Sequence, residues 1–247
     1  MRIVLHFLIV ALLTILTQIG GIAWLLSLWF RRRFLAFAGI YLCLMLAAQI
    51  AAPAFGRVAM QCGGDGPLRM QSWFYCLTNR NYVTPPLAET VTDLARDLDR
   101  ARPGTVTLVL DGNFPFVTGF PLIPHLSHDD GRKLDLAFFY QDSDGQYQPG
   151  LVRSPIGYFA FEEGRSDCPR RRFSLRWDLA WLQPLFPEHK LDQSRMRDAL
   201  RWLARDPRVS KVFLEPHLRD RLGVVSGKFR FQGCWAARHD DHIHFEI

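Results

Sequence analysis

The chain has 247 residues, 49% of them hydrophobic and 22% charged, with a formal net charge of +6. That length accommodates one sizeable domain with additions, and the positive balance invites an anionic partner. Nucleic acid is set aside, because the chain has no helix-turn-helix pattern, no Cys/His finger spacing and no aromatic-basic repeat; an anionic membrane surface or wall polymer fits the same charge.

Residues 3–30 carry no acid or base and are apolar except for His6, Thr14, Thr17, Gln18 and Ser27. A run of about 20 apolar residues at ~1.5 Å rise spans a bilayer. Arg31-Arg32-Arg33 interrupts the run, and a second uncharged stretch covers residues 34–55 with Gln49 its only strongly polar side chain. The pattern predicts a two-helix transmembrane hairpin over residues 1–56, with helices at about 3–30 and 34–55. Positive charge favours the cytoplasmic side, so the triple arginine faces inward and residues 57–247 form an extracytoplasmic domain. A cleaved first segment or a reversed hairpin are the other arrangements.

Beyond a loop-rich stretch at residues 56–85, Leu87, Val91, Leu94 and Leu98 recur at helical spacing until Pro103-Gly104. Residues 105–110 alternate as a strand closed by Asp111-Gly112-Asn113, and residues 134–140 read as another. A helical segment is predicted from Trp177 to Phe186. A clearer helix starts at a cap on Asp192 or Ser194, presents Met196, Leu200 and Leu203, and stops at Asp206-Pro207. A strand over 209–214, a helical turn over 217–222 and a final strand over 242–247 follow. Helices and strands do not alternate strictly, so the expected class is α+β, with a small, mostly antiparallel sheet and flanking helices.

Of five cysteines, Cys43 lies in an apolar run, and Cys62, Cys76, Cys168 and Cys234 form an even set without C-x-x-C spacing. Outside the cytoplasm this set can form disulfides, and the favoured pairing of the three available is Cys62–Cys76 with Cys168–Cys234. Free buried cysteines are the other reading.

Five of the eight histidines fall in two clusters. The first is His125-Leu126-Ser127-His128, followed by Gly131 and Asp135. The second, His239-Asp240-Asp241-His242-Ile243-His244, runs into the last strand, where His242 and His244 share a face. His128, Asp135 and His244 together supply two nitrogens and one carboxylate oxygen, with Gly131 letting the chain turn between the first two. Zinc accepts such a set and keeps a fourth position for water, as in catalytic sites. His242 is placed to steer protons, and Asp241 is a rival general base. His6, His189 and His217 are read as ordinary histidines, and Asp129 and Asp130 as solvated loop acids.

The motif H-x-S-H-x-x-G-x-x-x-D followed by H-D-x-H-x-H resembles the penicillin-insensitive murein endopeptidases. These belong to the zinc peptidases grouped with lysostaphin, D-alanyl-D-alanine peptidases and sonic hedgehog. Residues 204–209 and 212–216 are similar to that family's helix-to-strand segment, and the resemblance covers roughly residues 100–247. It implies that His128, Asp135 and His244 bind Zn2+, that His242 is the catalytic histidine, and that His125 and His239 line the site. Asp241 falls where related dipeptidases carry a glutamate base. Also implied are a bacterial inner-membrane location with the catalytic domain in the periplasm, and peptidoglycan stem peptides as substrate. Residues 141–167 do not align with the family pattern. A carboxypeptidase or dipeptidase trimming D-Ala ends is an alternative, for which Arg132, Arg153 or Arg170 to Arg172 would grip a free carboxylate. A wall-peptide binding module that has lost catalysis is another.

Overall fold

The first apolar run breaks in two. The computed structural model describes residues 1–169, 176 and 179–247. In it α1 spans Arg2–Thr17 and α2 spans Gly20–Ser27. Gln18, between them, has φ of 66°, left-handed backbone that cannot continue a helix. α2 folds back along α1, with Trp24 Nε1 donating to His6 Nδ1. The approach is so close that a Cβ on Gly21 would collide with Thr14 Oγ1.

A third helix, α3 (Arg33–Ala51), continues into a 3-10 turn at Ala52–Phe55. The expected two-helix hairpin is therefore corrected. One N-terminal stretch, Arg33–Phe55, is long and apolar enough to cross a membrane, and α1 falls short of that length. The cause is polar. Gln18 Oε1 accepts the Phe116 N–H at 3.0 Å, and Asn79 Nδ2 donates to the Thr17 carbonyl at 3.2 Å. The elbow at Thr17–Ile19 is thereby buried against the rest of the chain.

Next come β1 (Val58–Ala59), β2 (Leu68–Met70), the short helix α4 (Trp73–Leu77) and β3 (Tyr82–Val83). A disulfide joins Cys62 to Cys76 across this stretch. Helix α5 (Pro85–Ala101) opens on prolines, whose missing N–H costs nothing in a first turn, and buries Leu87, Val91, Leu94 and Leu98 as their spacing predicts. β4 (Thr107–Val109), β5 (Lys133–Ala137), β6 (Tyr140–Gln141) and β7 (Lys190–Leu191) follow.

Trp177 lies outside the described residues. The rest of the helix expected there is a 3-10 helix, Ala180–Leu185, with Pro184 inside it, which removes a donor and crowds the preceding turn. A second disulfide joins Cys168 to Cys234, and Cys43 is free. Helix α6 (Gln193–Arg205) is capped by Asp192, whose carboxylate accepts the Ser194 and Arg195 N–H groups. β8 (Lys211–Phe213), α7 (Pro216–Leu222), β9 (Phe229–Arg230) and β10 (His242–Glu246) complete the chain.

The main sheet runs β2-β4-β5-β10-β8-β9. Its middle pairs are antiparallel, and its outer pairs, β2 with β4 and β8 with β9, are parallel. This is a mixed α+β fold with flanking helices. Leu134 and Leu136 of β5, with Ile243 and Phe245 of β10, turn one face into the core that also holds Leu94, Leu98, Leu200 and Leu203. The alternation of a strand then sends Asp135, His242 and His244 to the opposite face.

Candidate metal centre

Register does the first part of the assembly. β10 pairs with β5 so that His244 lies directly opposite Asp135, and His244 also pairs with Phe213 of β8. Cross-strand partners stand close enough for their side chains to meet, and His244 Nδ1 is 2.9 Å from Asp135 Oδ1. The third donor arrives on a loop. Gly131, at φ 75°, turns the chain between His128 and Asp135, and a Cβ there would stand 2.5 Å from Arg57 Nε. His128 Nε2 then lies 3.0 Å from His244 Nδ1 and 3.2 Å from Asp135 Oδ1. Among the described residues, His128, Asp135 and His244 form one group that could hold a metal ion, and His125, Asp135 and His242 form another that shares Asp135.

The donor set fits a cation. His128 Nδ1 donates to the Gly112 carbonyl at 2.9 Å, so its neutral ring presents a bare lone pair at Nε2. His244 Nε2 faces Glu246 Oε1 at 3.7 Å, leaving Nδ1 to face the other two donors. Three lone pairs thus converge with edges of 2.9–3.2 Å, close to the ~3.3 Å edge of a tetrahedron around an ion with ligands at ~2.0–2.1 Å. Without a cation, a proton serves. Burial disfavours charge on His244, yet its hydrogen bonds to Asp135 and Glu246 outweigh that and raise its pKa. For His128 burial dominates and lowers it.

His242 is fully buried, with Nε2 lacking a hydrogen-bond partner among the described residues and standing 3.7 Å from Asp135 Oδ1. Its other nitrogen, Nδ1, meets Asp241 Oδ1 at 2.5 Å. Burial pulls its pKa down, but the Asp135 and Asp241 carboxylates lift it to about 9. Asp241 is committed behind this ring, for its second oxygen accepts the Phe159 N–H at 2.6 Å. The arrangement suits an orienting carboxylate better than a base facing the triad.

His125 Nδ1 hydrogen-bonds Asp111 Oδ2 at 2.9 Å and stands 3.3 Å from Asp135 Oδ2. His239, whose pKa burial depresses well below the usual range, packs its ring 5.0 Å from His242 and 5.5 Å from His244. Both histidines line a cleft of about 270 Å³ with Ile123, Leu126, Ala236 and Ala237. His6 and His189 lie elsewhere, and His217 stands 3.8 Å from Asp240 outside both groups. Asp129 and Asp130 pair with Lys133. Arg132 is spent on the Ile247 carbonyl, and Arg153 on Glu162 and the Phe161 and Pro187 carbonyls. Residues 170–172 lie outside the described residues.

Three participants escape sequence reasoning. Arg80 grips Asp111 with two bonds of 2.6 Å and donates to the Ile123 carbonyl at 2.8 Å, holding down the loop that carries His125 and His128. Asp111 reads in sequence as the turn that ends a strand, although its pKa is pushed down as Arg80 and His125 outweigh its burial. Tyr158 donates to Asp135 Oδ2 at 2.7 Å. None of these contacts has a local period that could announce it.

A search against protein-family models matches none, and a search of curated proteins finds no match.

Proposed function

We propose that the chain is a membrane-anchored zinc metallopeptidase that hydrolyses peptide cross-links of peptidoglycan. One observation carries the reading: three lone pairs, from His128, His244 and Asp135, converge on one point beside a buried imidazole nitrogen that has no partner among the described residues. Two imidazoles and one carboxylate favour zinc and leave a fourth position open. The apolar stretch Arg33–Phe55 supports the membrane location, and the resemblance of the two histidine motifs to murein endopeptidases supports the substrate class.

When bound, the ion supplies a Lewis acid that polarises a peptide carbonyl and acidifies a water. The chain's own residues do the rest. His128, His244 and Asp135 hold the ion. His242, aimed by Asp241, keeps a proton at Nε2 for the developing oxyanion or the departing amine. The cleft lined by Leu126, Ala236 and Ala237 opens beside these groups and is the place for the substrate peptide.

The test is a digest of purified peptidoglycan by the full-length chain in detergent, with products read by mass spectrometry. Wild type is run beside His128→Ala, after chelation and again with added zinc. Cross-linked dimers should fall to monomers only with His128 intact and zinc present. Release of terminal D-Ala alone would move the reading to a carboxypeptidase. Zinc uptake without any cleavage would leave a wall-peptide binding module, and cleavage by metal-free protein would end the mechanism.

A further inference from the structure

Two acids of the centre are held by adjacent residues of one segment, 154–162. Tyr158 is buried, and its hydroxyl donates to Asp135 Oδ2 at 2.7 Å while accepting the Asp111 N–H at 3.1 Å. The very next N–H, that of Phe159, donates to Asp241 Oδ2 at 2.6 Å. Serving both acids in succession bends the backbone, and Phe159 sits at φ 68°. A phenylalanine stays in that left-handed region only when its surroundings hold it there, and such strain gathers at functional sites.

The surroundings do hold it. Ser154 Oγ donates to the Tyr158 carbonyl at 2.6 Å, and Gln183 Nε2 donates to the Phe159 carbonyl at 2.5 Å. Gln183 also accepts the Phe161 N–H through Oε1 at 3.0 Å, and the Tyr75 hydroxyl donates to the Ile156 carbonyl. The Glu162 N–H donates to the Asp240 carbonyl at 2.7 Å, which ties the far end of the segment to the residues just before β10.

We infer that Tyr158 is the positioning residue of the metal centre: its phenol occupies Asp135 Oδ2, so that Oδ1 alone is presented with His128 Nε2 and His244 Nδ1. The inference rests on the metal reading above. A carboxylate with both oxygens free can swing or bind through both, which would consume the open position that a catalytic ion needs. With Oδ2 tied to the phenol, only Oδ1 stays within 2.9 and 3.2 Å of the two nitrogens. Partners of this kind orient a ligand without touching the ion.

The test is metal binding by the full-length chain in detergent, with two variants. Zinc affinity is measured by competition with a chelating dye, and the cobalt-loaded protein is read by visible absorption, which reports coordination number. Tyr158→Phe should weaken zinc binding by about 10–100-fold and dim the cobalt bands as fourfold coordination gives way to a higher number. Tyr75→Phe removes from α4 another buried hydroxyl that holds the same segment, without freeing Asp135, and should keep the wild-type affinity and spectrum. Wild-type affinity and spectrum in Tyr158→Phe would overturn the inference. So would an equal loss in Tyr75→Phe, which would make the phenol merely structural. A wild-type chain that takes up no ion would instead bring down the metal reading, and this inference with it.

Discussion

Two walls of the candidate metal centre are built by different rules. One is regular: β5 and β10 place Asp135, His242 and His244 by pairing register, over a core of Leu134, Leu136, Ile243 and Phe245. The other is irregular: residues 111–128 and 154–162 bring His125, His128 and Tyr158 by turns, a buried ion pair and backbone carbonyl acceptors. On the strand wall, ladder bonds and the apolar face set which way each side chain points, and polar partners such as Tyr158 on Asp135 and Asp241 on His242 only fix its final orientation. The loop wall has no ladder, so nearly every position in it is held by a specific polar contact. Two of the three candidate metal donors and His242 thus come from the strand wall, and His128 from the loop wall.

That contrast can be broken from either side. The largest effect belongs to Asp135→Ala, which removes the carboxylate shared by both histidine groups. Metal content by atomic emission and peptidoglycan cleavage should both drop to background while circular dichroism stays native. His242→Ala comes next: the ion should remain and kcat should fall by about 10²–10⁴-fold, as for loss of a general acid or base. If the ion leaves with His242, the division between holding and proton transfer is wrong.

The loop wall answers in stability. Arg80→Ala strands the buried Asp111 carboxylate, and breaking such a pair costs about 3–5 kcal/mol, read as a lowered denaturant midpoint. Adding Asp111→Asn should recover part of the loss, since it removes the stranded charge. Should Arg80→Ala instead leave stability untouched and abolish only cleavage, the loop wall would be chemical rather than supportive.

The smallest effect is pH-dependent and lies at the junction of the walls. Burial pushes the Asp240 carboxyl up to about 7, against the pull of Arg238. Its folded pKa is above the unfolded value, so its stabilising contribution is full below about pH 4 and is lost as pH rises through 7. The stability of Asp240→Asn relative to wild type should therefore improve steadily from about pH 5 to 7 and level off beyond, with a slope of at most about 1.4 kcal/mol for each pH step of one. Paired thermal melts across that range read it directly. A constant difference would show that Asp240 stays ionised.

The strand wall was legible in the sequence because alternation and i, i+2 spacing are local signals; His242 and His244 announce a shared face before any fold is known. Gly131 was legible for a similar reason, since a turn was needed between His128 and Asp135. Tyr158 and Arg80 were not, because what they do depends on which distant loop meets them. The N-terminal segment misled for another cause. Hydropathy counts apolar residues and ignores where a polar one is spent, so Thr17 and Gln18 looked like tolerable interruptions of a single helix. Their partners, Asn79 and Phe116, lie 62 and 98 residues away.

That elbow has a geometric consequence. Phe116 is gripped by Gln18 on one side and stacks its ring 5.1 Å from Phe55, the last residue of the apolar stretch, on the other. Arg57, two residues further on, donates to Thr118 at 2.9 Å. No slack linker separates the anchor from the cleft. An enzyme on a long leash sweeps a volume; on the proposed reading, with α3 in a bilayer, the cleft would be held at a single altitude, and polymer lying beyond that altitude would have to come down to be cut.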